Sequence, residues 1–289
     1  MEEREYRDWM ASYTDYDKCN FAFCNQKQFF RINTIKIDKE KLLERTTLDI
    51  TENKYYEFAF EFDKKVQIGK TWEYFLGYIY PQSLPSILVS LVLEPEHDDI
   101  VLDVAAAPGS KFSHMAMLME NNGVLVGNDL TPEKISTLYS TINRMNILNS
   151  ITTMHHGANL NWKSRFTKIL VDAPCTALGS GMKAFSRWEI GNSEKISSLQ
   201  KRMLFSAYDA LRPGGELVYS TCTYAKEENE EVVANLLNNL NAKLVDIKLD
   251  IPHEHGLSEY GKEFRKCYRI YPQHLESEGF FIAKIKKGE

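Results

Sequence analysis

No apolar run in this 289-residue sequence approaches the roughly 20 residues that a membrane-spanning helix requires. Its opening, MEEREYRDWM, is acidic and lacks the apolar centre of a signal peptide, so a cytoplasmic chain is expected, or a nuclear one in a eukaryote. Cysteine is sparse. Cys19, Cys24, Cys175, Cys222 and Cys267 form no CxxC pair, which leaves a zinc ribbon or a thioredoxin-type motif unsupported, and no metal site is expected. In a reducing compartment these thiols stay free, and any that is exposed and activated is open to catalysis. Positive charge is also short. The net charge of −5 counts against unselective nucleic-acid binding. Three local basic stretches remain, KEFRKCYR (262–269), KIKK (284–287) and KAFSR (183–187), each an RNA-contacting candidate or a solvated edge. Internal repeats and low-complexity tracts are absent.

What is present reads as two units. Tyr6, Trp9, Met10 and Tyr13 recur at helical spacing. FFRINTIKI (29–37) reads as a strand, KEKLLER (39–45) as a helical turn or two, and YYEFAFEF (55–62) as a strand. Together these imply a small α+β unit over residues 1–80. LPSILVSLVL (84–93) then predicts a buried helix ended by Glu94-Pro95.

From residue 100 the rhythm becomes strand, loop, helix, repeated. IVLDV, VLVGN, SITTM, TKILVD and ELVYST are short continuous apolar runs, as expected of parallel strands covered on both faces. SKFSHMAMLME, PEKISTLYSTINRM and SEKISSLQKRMLFSAYDAL carry helical periodicity between them, and AKLVDIKL and GFFIAKIKK follow as further strands. The pattern predicts a doubly wound, Rossmann-like α/β sheet over residues 81–289, whose ligands bind at the carboxyl ends of the strands.

Those strand ends carry the informative residues. DVAAAPGSKFSHMA (103–116) runs from a strand into a helix through small residues that let a ligand approach the backbone. Asp129 ends the next strand, where an acid is placed to bond ribose hydroxyls. A dinucleotide site would want G-x-G-x-x-G at the first turn. AAAPGS makes a poorer pyrophosphate cradle and favours a nucleoside without phosphates, such as S-adenosylmethionine. TKILVDAPC places Asp172 and Cys175 on one loop, and ELVYSTCTY places Cys222 past the neighbouring strand. Such a pair suits methylation of cytosine at carbon 5. A thiolate adding to carbon 6 consumes the C5=C6 double bond and turns carbon 5 into a nucleophilic enamine carbon, and an acid supports ring nitrogen 3 as charge develops there.

These motifs resemble the Nop/Sun (RsmB-type) RNA cytosine-5 methyltransferases from about residue 29 to the C-terminus. RINTIKI is similar to the family's Arg-Val-Asn-Thr signature, YPQSLPSILVSLVLEP (80–95) to its leading helix, and DVAAAPGSK to its cofactor loop. VDAPC and LVYSTCTYAKEENEEVV resemble its two cysteine motifs, and YRIYPQHLESEGFFIAKIKK (268–287) its C-terminal hairpin. The resemblance implies a partial RRM-like N-terminal unit that contacts RNA. It implies Cys222 as nucleophile, Cys175 as a helper in product release, and Asp172 against the cytosine edge with Lys111 close by. It also implies S-adenosylmethionine held by Ala105, Ala106, Ala107, Pro108, Gly109, Ser110, Lys111, Asp129 and Lys134, with His156 and Asp172 beside it. The compact size resembles the archaeal-type enzymes of transfer RNA and implies a monomer acting on tRNA, with rRNA as the alternative. Three departures stand out. Ala105 replaces the loop's usual Cys, PCTALG replaces PCSG, and His156 stands where an acid usually meets adenine's amine. A catalytically silent RNA-binding relative is disfavoured because Lys111, Asp129, Asp172, Cys175 and Cys222 are all kept. Phe29 and Phe30 read as strand core rather than as base-stacking platforms.

Overall fold

The computed structural model describes residues 3–181 and 190–289, so KAFSR (183–187) lies outside the described residues. Two sheets organise the chain. The smaller is antiparallel and consists of β1 (Gln28–Ile32), β2 (Ile50–Asn53), β3 (Tyr56–Phe62) and β4 (Ile79–Pro81), in the order β2-β3-β1-β4. The larger begins with β5 (Ile100–Asp103), β6 (Val124–Asp129), β7 (Ser150–Met154), β8 (Phe166–Asp172) and β9 (Leu211–Thr221), parallel in the order β7-β6-β5-β8-β9. Past β9 it continues antiparallel through β10 (Ala242–Leu244), β11 (Glu254–His255), β12 (Tyr268–Ile270) and β13 (Phe280–Lys287). Of these, β13 pairs β9, while β10 and β12 pair β13.

The parallel strands are apolar on both faces because both faces are covered. Val101, Leu125, Leu170 and Val218 pack beneath helices Leu84–Leu93, Ser110–Leu118 and Pro132–Met145. Their neighbours Leu102, Val126, Ile169 and Leu217 point the other way, onto helices Ile190–Ala210 and Glu230–Asn239. Gly127 lets the first layer approach closely, since a Cβ there would sit 2.7 Å from the Phe112 ring. Strand order reverses between β5 and β8, so the crevice at their carboxyl ends is where a ligand is expected. Among the described residues no helix is long and apolar enough to cross a membrane.

The small sheet is fastened to the large one. Phe29, Ala59 and Tyr80 share its core. Arg31 is fully buried and donates to the Ser110 carbonyl (3.1 Å), to Gln82 Oε1 (3.2 Å) and to Ser113 Oγ. Tyr56 reaches His114 Nε2 (3.0 Å), whose Nδ1 donates to the Ile87 carbonyl (3.1 Å). Burial and the Arg31 charge hold that imidazole well below its usual range, so it stays neutral. Helices Glu3–Ala11 and Tyr16–Cys24 dock elsewhere, with Tyr6, Met10 and Cys19 packed on Leu178, Tyr224 and Tyr271.

Several sequence readings shorten or change. The strand expected over 29–37 stops at Ile32, because Asn33 turns the chain: its Nδ2 donates to Gly77 and Met145 carbonyls (3.0 and 2.9 Å). AKLVDIKL is a strand only over Ala242–Leu244, after which the Tyr268 hydroxyl donates between the Ile247 and Leu249 carbonyls, at 2.9 and 3.0 Å. In two basic stretches one residue turns inward, while Lys262 and Arg265 stay exposed. Arg269 of KEFRKCYR is buried against Glu230, and Lys284 of KIKK pairs with Glu94 and Glu216. Phe29 and Phe30 are core residues, as read from the sequence.

Candidate active site

Four expected catalytic residues converge at the carboxyl ends of β5, β8 and β9. Lys111, on the first turn of helix Ser110–Leu118, donates from Nζ to Asp172 Oδ2 at 2.8 Å. Asp172 closes β8, and its Oδ1 accepts the Ser220 hydroxyl of β9 at 2.7 Å, in register across the parallel pair. Burial works against the Lys111 charge, but Asp172 overcomes it, so the ammonium is held above its ordinary range. Beyond the two strands, Cys175 Sγ and Cys222 Sγ lie 3.2 Å apart. The Cys222 thiol is pushed well up, first by its hydrogen bond with Cys175, then by burial and the charges of Cys175, Glu278 and Asp172.

The cofactor loop sits beside this cluster. Ala105, Ala106, Ala107 and Pro108 carry the chain from β5 to Gly109, whose positive φ of 106° turns it into the helix. A Cβ at Gly109 would press on the Thr141 methyl at 2.8 Å, so glycine is needed for space as well as conformation. Asp129, nearly fully buried, accepts the Ala107 N–H at 3.0 Å and faces Lys134 Nζ at 3.0 Å. Thus the expected cofactor residues Ala107, Asp129 and Lys134 do meet. His156 lies past β7 and is exposed, its Nδ1 accepting the Ala158 N–H at 3.1 Å. With Nδ1 accepting, the other ring nitrogen carries the proton and can only donate to a ligand.

Sequence reasoning missed three residues of this neighbourhood. Asp103 is buried beneath the loop, and burial together with the Asp172 charge pushes its carboxyl up to about 8. Glu278 bonds Ser83 and shares a cavity of about 450 Å³ with Pro108, Ser110 and Gln82. The Phe280 ring centroid is 5.2 Å from Lys111 Nζ. The signal for the last two was their place in the hairpin motif YRIYPQHLESEGFFIAKIKK, Glu278 just before its last strand and Phe280 at the start of it.

The residues fit S-adenosylmethionine, a cation. Three carboxyl groups, Asp103, Asp129 and Asp172, face the loop, and Asp103 is poised to ionise once a positive group approaches. Small residues leave the backbone open to a nucleoside, as the loop composition predicts.

Comparison with known proteins agrees. The model of the family described as 16S rRNA methyltransferase RsmB/F matches residues 90–286. A tRNA (cytosine(49)-C(5))-methyltransferase of Pyrococcus abyssi is 41% identical over 77% of this chain and 74% of its own length. Ribosomal RNA small subunit methyltransferase F of Vibrio cholerae is 35% identical over 90% of the chain, which spans 58% of that longer relative. A solved methyltransferase homologue from Pyrococcus horikoshii superposes with a TM-score of 0.82 at 33% identity, covering 94% of this chain and 90% of that one. NSun6 from the same organism, solved with the S-adenosylmethionine analogue SFG, gives 0.87 at 25% identity over 99% and 97%. Fold and site therefore define an S-adenosylmethionine-dependent methyltransferase. The chain belongs to the Nop/Sun (RsmB/F) family of RNA cytosine-5 methyltransferases.

Proposed function

We propose that this enzyme methylates carbon 5 of a cytosine in tRNA through a covalent bond from Cys222 to carbon 6 of the base. The observation that carries the reading is the pair of sulfurs 3.2 Å apart beside the Lys111–Asp172 ion pair. Support for tRNA is the 41% identity to the Pyrococcus abyssi enzyme and the larger share of that relative that the chain spans.

In this reading Asp172, whose oxygens both accept hydrogen bonds here, takes the exocyclic amine of the cytosine. Lys111 supplies a donor to the ring edge where negative charge grows. Carbon 6 is attacked by a thiolate, so Cys222 loses its proton to solvent as the S–C6 bond forms. S-adenosylmethionine, when bound by residues 105–111, Asp129 and Lys134, with His156 and Asp172 beside it, supplies an electrophilic methyl group. After methylation Cys175, its own thiol proton released to solvent, takes the carbon 5 proton as a thiolate. The C5–H electrons restore the C5=C6 bond, and the C6–S pair returns to Cys222.

The small sheet grips RNA in the same reading. A groove of about 470 Å³ runs between this sheet and residues 273–276, with Lys54 exposed on its wall and Lys27 paired with Glu61 and Glu276. It shares Lys27 and Phe29 with the cavity beside Ser110 and Glu278. Bisulfite sequencing of RNA from cells with and without the gene tests the substrate. Loss of a protected cytosine in tRNA is expected. Loss confined to 16S rRNA would move the activity there, and no loss in either would refute cytosine methylation.

A further inference from the structure

We infer that Glu228 is a positioning residue that fixes Cys175 against Cys222, with Thr176 as its handle. The inference rests on the two-cysteine reading above, but its geometry stands separately. Cys175 lies on the stretch between β8 and the short turn Leu178–Ser180, without a ladder of its own. The ends of that stretch are tied by backbone bonds, Ala173 N to the Ser220 carbonyl (3.1 Å) and Gly179 N to the Cys222 carbonyl (2.9 Å). Between them, the residues flanking Cys175 on both sides converge on one buried carboxylate. Glu228 Oε2 accepts the Thr176 N–H at 2.9 Å and Gln200 Nε2 at 3.3 Å, while the same Gln200 nitrogen donates to the Pro174 carbonyl at 2.8 Å. Oε1 accepts the hydroxyls of Thr176 (2.6 Å) and Ser193 (2.9 Å).

Glu228, Ser193 and Gln200 are fully buried. A carboxylate taken that far from water is retained only where its lone pairs are met, and four donors meet them here. The cluster also touches the second cysteine's loop, since Thr176 Oγ1 and Thr223 Oγ1 are 3.0 Å apart. Glu228 is itself pinned, its carbonyl accepting the Tyr219 hydroxyl of β9 at 2.6 Å. Two strands and helix Ile190–Ala210 thereby fix the one stretch that must hold a thiol in place. An angstrom of drift in a reacting group costs on the order of 100-fold in rate, so a loop carrying a working thiol needs such a tether.

The two oxygens are not equivalent, and this shapes the test. The donors on Oε2 are an amide and a backbone N–H, neither of which can turn into an acceptor. Gln200 is kept from flipping by the Pro174 carbonyl. The hydroxyls on Oε1 can rotate, so Glu228→Gln is expected to be partly tolerated. Thr176→Val is the sharper change: it keeps the shape and removes the hydroxyl that meets both Glu228 and Thr223.

The primary measurement is the rate at which diamide converts Cys175 and Cys222 to a disulfide in the full-length protein, followed by peptide mass spectrometry. It reads the approach of the two sulfurs and does not depend on which one is the nucleophile. Thr176→Val should slow the reaction by roughly 10-fold or more. Thr176→Ser should restore it, and Glu228→Gln should fall between. In a second arm, Thr176→Val incubated with tRNA transcripts and S-adenosylmethionine should retain more covalent protein–RNA complex per methyl transferred than the unsubstituted protein. A disulfide rate unchanged in Thr176→Val, or unrestored by Thr176→Ser, would overturn the positioning role. A slowed disulfide with no extra trapped complex would keep the positioning role and instead remove Cys175 from product release.

Discussion

Cys222 Sγ lies 3.2 Å from Cys175 Sγ, and each sulfur can share one proton with the other. A nucleophilic thiol is expected where its anion is favoured, near Lys111 or the sulfonium charge of the cofactor. Lys111 lies close enough to interact with Cys222, but in the protein without ligands the hydrogen bond with Cys175 and burial push the Cys222 thiol well up. The protein without ligands therefore keeps Cys222 protonated, and removing the Cys175 hydrogen bond eases loss of that proton. Iodoacetamide at pH 7.5 should consequently modify Cys222 several-fold faster in Cys175→Ala than in the unsubstituted protein, since only the thiolate reacts. Equal rates by peptide mass spectrometry would show that Cys175 does not control the proton on Cys222.

Asp129 offers a direct probe of cofactor binding. Its carboxylate already orders the loop through Ala107 N and is flanked by Lys134. Asp129→Ala should weaken S-adenosylmethionine binding by about 1.5–3 kcal/mol, the usual worth of a hydrogen bond to a charged group. Calorimetry giving an unchanged Kd would remove Asp129 from the cofactor site.

Asp103 makes stability depend on pH with a defined sign. Its folded carboxyl is raised to about 8, against an unfolded value of about 3.9. Between these values the folded state holds a proton that the unfolded state has lost, so stability falls as pH rises through the window. The limiting slope is about 1.4 kcal/mol per pH unit. Asp172, Lys111 and Asp129 are the charged groups that act on it. Asp103→Asn should flatten this part of the melting profile and stabilise the ligand-free protein at pH 7.5. A profile identical to that of the unsubstituted protein would contradict the assignment.

Arg31 joins the small sheet to the cofactor helix, and burial brings its guanidinium down to about 10 without reaching neutrality at pH 7. Lysine cannot reproduce the fork that reaches Gln82, Ser110 and Ser113. Arg31→Lys should cost about 2–3 kcal/mol and lower the melting temperature by roughly 5–10 °C. Calorimetric scanning with no change would show the guanidinium to be a passive filler.

The contrast between Arg31 and the strand cysteines shows what the sequence could disclose. Helices Leu84–Leu93 and Pro132–Met145 were legible to the residue, because their apolar periodicity is local and proline marks each start. Asp172, Cys175 and Cys222 were legible because continuous apolar runs mark parallel strands, and ligands gather at their carboxyl ends. Charged residues inside longer polar runs were not. Arg269 in KEFRKCYR and Glu228 in KEENEE look solvated, and only partners distant in sequence bury them. Helix Tyr16–Cys24 buries only Cys19 and Ala22 and so carries little apolar pattern, and the short strands β2 and β4 offer too few residues for a period to show. The small sheet also shares core residues Phe29, Ala59 and Tyr80 with the larger one, so deleting residues 1–80 would unmake the catalytic core as well as any RNA contact. Charge reversal at exposed Lys54 is the cleaner probe. It should weaken tRNA binding several-fold in filter assays while leaving cofactor affinity unchanged, and equal RNA affinity would remove that face from the RNA path.

Denaturing electrophoresis of the protein after incubation with tRNA transcripts and S-adenosylmethionine tests the covalent mechanism most directly. Cys175→Ala should leave a protein–RNA complex that survives denaturation, because attack and methylation proceed while release is slowed. Cys222→Ala should transfer no methyl group and leave no complex, alone or combined with Cys175→Ala. Complexes from Cys222→Ala and none from Cys175→Ala would exchange the two roles, and two active variants without any complex would contradict covalent catalysis by this pair.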